Sequence, residues 1–239
     1  MCDVCDLAAL RLSRRGVIGG GVAMAAAAMA QARAAEAPAT GAPNAIPPEA
    51  ALQLLAEGNR RYAANKPANQ DYSHNRAERA ASQYPIAAVL SCADSRVAPE
   101  LIFDQGPGQL FVVRIAGNFV SLDGLASLEY AVHFLGVPLV AVLGHTGCGA
   151  IAAAIKVLQE GVSLPGQLPH LIRDLKPAVR AAIERKPADL LAEATRENVR
   201  MNVAALQADQ PVVADAVARG KVKVVGGIYD ISTGLAALV

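Results

Sequence analysis

Charge of one sign, tryptophan and long apolar runs are all scarce in this chain of 239 residues, and each scarcity removes a class of function. Its 22 Lys and Arg nearly balance 21 Asp and Glu, interspersed along the chain, for a formal net charge of +1. No basic stripe or acidic tail offers a grip on nucleic acid or an anionic membrane, so the expected partner is a small molecule. Tryptophan is absent and aromatics make up 4% of the residues, which leaves alanine and aliphatic side chains to build the core of one sizeable domain.

The apolar run from Gly16 to Ala30 is about fifteen residues, where a bilayer core needs about twenty. Ser13-Arg14-Arg15 precedes it and small residues around Ala32-Arg33-Ala34 follow, the layout of a signal peptide over residues 1–34. The arginine pair resembles a twin-arginine export signal, with Val17-Ile18 where an aromatic-leucine pair is commoner. The expected address is periplasmic or secreted, with no stable membrane span after signal cleavage. Residues 35–46 are rich in Ala, Pro, Thr, Gly and Asn without apolar periodicity and read as a flexible linker, so the folded domain is expected over 47–239.

Four cysteines fall into two unrelated pairs. Cys2 and Cys5 have the spacing of a redox or zinc half-site, but they precede the targeting segment and have neither a following helix nor a second ligand pair. Cys92 and Cys148 lie in the body of the chain.

Pro47-Pro48-Glu49 can open a helix, and Ala51, Leu52, Leu55, Ala56 and Tyr62 carry an apolar stripe to about Asn65. Short continuous apolar runs follow at Ile86–Leu90, Leu110–Ile115, Leu139–Leu143 and Val222–Val225 with Ile228, as expected of strands buried on both faces of a parallel sheet. Leu122–Leu135, Ala150–Glu160 and most of Ala188–Arg219 read as helices. Alternating strand and helix predicts an α/β fold, a mostly parallel central sheet flanked by helices, with an N-terminal helical arm. In the last helical stretch, Glu193, Arg196, Glu197 and Arg200 sit at facing spacings and read as a solvated outer face. The Gly- and Pro-containing segment around Pro169-His170 reads as a connection.

The first and third apolar runs end on Cys92-Ala93-Asp94-Ser95-Arg96 and His145-Thr146-Gly147-Cys148-Gly149. Carboxyl ends of parallel strands are where open α/β sheets build their sites, so the two segments should meet at one edge. Two thiolates and one imidazole suit a borderline-soft tetrahedral cation, Zn2+, with a fourth position left for water or a ligand that can leave. Cys148 is expected near the first turn of a helix starting around Thr146, where free amides favour a thiolate. Glycines around it, Gly149 included, keep Cβ atoms out of the way. Asp94 is the candidate for the exchangeable place. Arg96, two residues on, can draw that carboxylate off the metal through a two-pronged pair, making Asp94 and Arg96 a switch between closed and open sites. Ser95 reads as a turn residue, and His133, His74 and His170 are the other imidazoles available to move a proton.

At these residues the chain resembles the beta-class carbonic anhydrases. Cys92-Ala93-Asp94-Ser95-Arg96-Val97 is similar to that family's first signature and Gly144-His145-Thr146-Gly147-Cys148-Gly149 to its second. Arg114-Ile115-Ala116-Gly117-Asn118 and Gly227-Ile228-Tyr229-Asp230 with Thr233-Gly234 resemble two further segments. The resemblance runs from about Pro47 to the C-terminus. It implies a zinc enzyme that reversibly hydrates carbon dioxide to bicarbonate and a proton, acting as a homodimer or higher homo-oligomer with the active site at the dimer interface. It also implies a substrate pocket lined by Gln83, Phe111 and Tyr130, as in plant-type members, together with Gly149. An inhibitory bicarbonate pocket of the tryptophan-containing kind is not expected. Two other functions suit the same residues: hydrolysis of carbonyl sulfide or carbon disulfide, and zinc binding without turnover, against which the intact Asp94 and Arg96 speak.

Overall fold

In the computed structural model, residues 41–239 are described apart from 69, 70 and 74. The expected signal peptide, Cys2, Cys5 and His74 lie outside the described residues. The elements in chain order are α1 (Pro48–Ala63), α2 (Arg76–Ala81), β1 (Ala87–Ser91), α3 (Pro99–Ile102), β2 (Leu110–Arg114), α4 (Leu122–His133), β3 (Leu139–His145), α5 (Gly149–Glu160), α6 (Leu168–Glu184), α7 (Leu190–Gln207), α8 (Val213–Ala218), β4 (Lys223–Tyr229) and β5 (Ala236–Leu238). The sheet order is β2-β1-β3-β4-β5, with the first four strands parallel and β5 antiparallel at the edge.

Every residue of β1 and β3 is buried, as their unbroken apolar runs require. Side chains alternate between the faces with the period of two of a strand. Ala88, Leu90, Val140 and Val142 meet Leu128 and Ala131 of α4, Val199 and Leu206 of α7 and Val213 of α8. Val89, Leu139, Ala141 and Leu143 meet Ala51 and Leu55 of α1 and Ile102 of α3. A third apolar cluster holds Cys92 and Cys148 together with Ile151, Ile172, Leu175, Val179 and Ala194. The sulfurs are therefore walled by α5, α6 and α7.

Helix α6 replaces the connection expected around Pro169-His170. Pro169 sits in its first turn, where a missing N–H costs nothing, and Ile172, Leu175, Ala178, Val179 and Ala182 form a buried stripe that outweighs the internal Pro177. Helix α5 begins at Gly149, one residue before the Ala150 start read from the apolar pattern and three after the start around Thr146 expected at the ligand segment, with Cys148 as its N-cap. The charged face of α7 is less solvated than its spacing suggested: Glu197 is buried, and Arg185, just past α6, bonds Glu193 at 2.8 Å and Glu197 at 2.6 Å. Within the expected linker, Asn44 is buried and donates to the carbonyls of Pro85 and Leu135, so ordered packing starts before Pro47.

Candidate metal centre

Strands β1 and β3 are parallel neighbours, so their carboxyl ends bring Cys92 and His145 to one edge, and the turn through Thr146 and Gly147 returns Cys148 beside them. Ligand atoms of Cys92, His145 and Cys148 all lie within 4.8 Å of one another, and all three residues are buried. His145 Nδ1 is 3.0 Å from the backbone oxygen of Thr146. A carbonyl only accepts, so Nδ1 carries the proton and Nε2 keeps its lone pair. Nε2 is buried with no hydrogen-bond partner. A divalent cation satisfies that orphaned nitrogen and both sulfurs together, so the donor set fits a metal.

The electrostatics of the group favour one thiolate among the three donors. A hydrogen bond from Cys148 lowers the Cys92 pKa against the opposing effect of burial. The Cys92 sulfur and burial raise Cys148 in turn. Backbone N–H groups of Gly117 and Asp94 favour the Cys92 thiolate, and those of Ile151 and Ala150, at the start of α5, favour the Cys148 thiolate. Burial lowers the His145 pKa, but the neighbouring Cys92 outweighs it and the net shift is upward.

Asp94 is held off this group by Arg96. Arg96 Nε and Nη2 donate to the two carboxylate oxygens at 2.9 and 2.7 Å, and the Arg96 N–H adds a third bond at 3.0 Å. The guanidinium holds the carboxyl well below the usual range. This is the two-pronged pair expected of Asp94 and Arg96. Arg114 braces the same loop, donating to the Cys92 oxygen at 3.0 Å and the Asp94 oxygen at 2.6 Å. Exposed Gly147 and Gly149 have nothing within 4 Å of where a Cβ would stand, which leaves that side of the group open.

Gln83, Phe111 and Tyr130 do not join the group within this chain. Gln83 is exposed and lines a cleft with Arg79, Pro107 and Gly108 ahead of β1, whereas Cys92 follows that strand's other end. Phe111 and Tyr130 pack on each other with ring centres 6.3 Å apart, and Phe111 is in register with Ala88, four residues before Cys92. His133 ends α4 and lines a cavity with Pro138 and Val222, at the opposite end of the sheet from His145, which removes it as a direct proton carrier. His170 lies on α6 beside Arg173. Sequence reasoning passed over Asn198 and Asn202. Their signal was a pair of amides one turn apart on α7, next to the apolar Val199.

A parallel α/β sheet that gathers two thiolates and an imidazole at its carboxyl edge, with a carboxylate held beside them, defines a metalloprotein with a catalytic type of site. The comparisons narrow that class. The family profile described as carbonic anhydrase matches residues 87–236. Carbonic anhydrase 2 of Mycobacterium tuberculosis is 40% identical over 192 residues, 80% of this chain and 92% of the relative. A carbonic anhydrase of Pseudomonas aeruginosa is 39% identical over 165 residues, 65% of this chain and 73% of that one. Among solved structures, the Coccomyxa beta-carbonic anhydrase in complex with acetazolamide has a TM-score of 0.62 at 33% identity, covering 79% of this chain and 86% of that one. One of two tetrameric beta-carbonic anhydrases from Sordaria macrospora has a TM-score of 0.64 at 26% identity, covering 79% and 96%. This chain belongs to the carbonic anhydrase family, in its beta class.

Proposed function

We propose that the chain hydrates carbon dioxide reversibly to bicarbonate and a proton, with Zn2+ held by Cys92 Sγ, Cys148 Sγ and His145 Nε2. The observation that carries this reading is the set of three buried donors, within 4.8 Å of one another, beside an Asp94 whose carboxylate Arg96 holds in a fork. Zinc supplies Lewis acidity that makes water a nucleophile near neutral pH. The side chains supply the rest. Arg96 keeps Asp94 ionised and directed, so its oxygens are available to accept a hydrogen bond from the reacting water and orient it. His145 is fixed in one tautomer by the Thr146 carbonyl. The open side at Gly147 and Gly149 admits a small linear substrate.

A second copy of the chain belongs to the same reading. Gln83, Phe111 and Tyr130 do not converge on the metal group in one protomer, and a partner can present them across an interface. Leu122, Ala126 and Tyr130 stand one turn apart on α4 and are all exposed, Leu122 to 83%. This apolar strip suits a homodimer contact or one within a larger homo-oligomer.

Stopped-flow hydration assays with metal analysis test the function. Near-stoichiometric zinc is expected in wild type, Asp94→Asn and Arg96→Ala, with kcat/KM falling about a hundredfold or more in the two variants. A zinc-loaded wild type that turns over carbonyl sulfide but not carbon dioxide, or neither, would overturn the reading.

A further inference from the structure

The residue after Ala116 takes a backbone conformation and a position that only glycine fits. Gly117 has a φ of +85°, and a Cβ there would stand 2.8 Å from Leu175 Cδ1 and 3.3 Å from Ala150 Cβ. It occupies the third place of a turn closed by the Asn118 N–H on the Ile115 oxygen, where a type II turn needs a positive φ. Both sides of Gly117 are held. Its N–H donates to the Cys92 sulfur at 3.3 Å, and its carbonyl accepts from Asn198 Nδ2 at 2.8 Å. Asn198, 1% exposed, is itself held by Asn202, whose Nδ2 donates to the Asn198 backbone oxygen at 2.7 Å and side-chain oxygen at 3.2 Å. Asn202 Oδ1 accepts from the Val120 N–H at 2.6 Å. Two amides on α7 thus grip both ends of the Gly117–Val120 segment.

We propose that Asn198, braced by Asn202, is a positioning residue for the metal centre: by holding the Gly117 carbonyl it fixes the turn on whose other side the Gly117 N–H donates to the Cys92 sulfur, and so sets how tightly that sulfur holds the ion. The inference rests on the proposed function, since it assumes that Cys92 is a ligand. Two thiolates already balance the charge of a divalent ion, and an N–H on sulfur withdraws part of that negative charge. A thiolate held this way needs no rearrangement when the metal arrives, whereas a free turn would have to be ordered at that moment.

The direct test loads the full chain with cadmium-113 and records amide proton spectra. A scalar coupling between the Gly117 amide proton and the metal, carried through the N–H···S bond, is expected. Stoichiometric cadmium without that coupling overturns the inference alone, whereas a wild type that binds no metal overturns the function with it. Asn198→Asp keeps the size but loses the donor. Zinc affinity by chelator competition should fall about tenfold or more, with a shifted sulfur-to-metal band in the cobalt form. Asn202→Ala should move both readouts the same way by less. Leu206→Ala, on the same helix but in the core away from the turn, should leave affinity and band in place. An Asn198→Asp affinity no different from that of Leu206→Ala would overturn the assignment.

Discussion

Cys148 sits at the N-cap of α5, and its role follows from that position: the amides of Ile151 and Ala150 face its sulfur, and the Cys92 sulfur competes with it for a proton. Serine there would be a hard, protonated hydroxyl in place of a soft anion. Cys148→Ser should reduce bound zinc to a small fraction of stoichiometric and abolish hydration, while Asp94→Asn keeps its zinc. Metal analysis beside the rate assay separates the two. The cysteines, histidine and carboxylate were legible in the sequence because, although each alone suits a buried core, together at two strand ends they suit a metal. The Thr146 carbonyl and the Gly117 N–H were not, because every residue carries a carbonyl and nearly every one an N–H, and only the fold selects which are used.

At the level of elements, the central strands were readable from their unbroken apolar runs, and α6 was hidden by its two prolines. How closely α7 lies on the sheet was also out of reach. A Cβ on Gly226 of β4 would stand 2.6 Å from Val199 Cγ1 and 3.1 Å from Val203 Cγ2, so glycine there is what lets the helix approach. Gly226→Ala should cost about 1–3 kcal/mol by overpacking. Val199→Ala in the same chain should recover part of that loss, and a double-mutant cycle from denaturant unfolding checks the coupling.

The junction of α6 and α7 carries a pH dependence. Hydrogen bonding from Arg185 is the main cause that lowers the Glu193 pKa below its usual 4.5. A carboxyl depressed in the folded state stabilises fully above its unfolded pKa and loses that contribution as pH falls through the folded value. Arg185→Ala should therefore lower the melting temperature at neutral pH, with the gap from wild type closing as pH falls through the folded value of Glu193. A gap that stayed constant into the acid range would contradict this.

For the whole molecule, the consequence is association. The exposed α4 strip and the scattered pocket residues both call for a second copy, so the protein should run as a dimer or larger species by light scattering. Ala126 is exposed at the centre of the strip, and Ala126→Arg changes nothing inside the protomer. The variant should shift toward monomer and lose hydration while it keeps zinc. An associated, fully active variant would remove α4 from the interface.

By itself the amino-acid sequence determined the alternation of strand and helix, the two ligand segments and the Asp94–Arg96 pair, because hydrophobic period and residue chemistry are local properties. Only the tertiary structure decided that Asp94 lies on its arginine, which nitrogen of His145 is free, and that α7 reaches across the sheet to hold Gly117. The last of these depends on a hydrogen bond between residues 81 apart in the chain, whose pairing comes from packing, and the first two on contacts between near neighbours, Asp94 with Arg96 and His145 with Thr146, whose conformation the fold fixes at the strand ends.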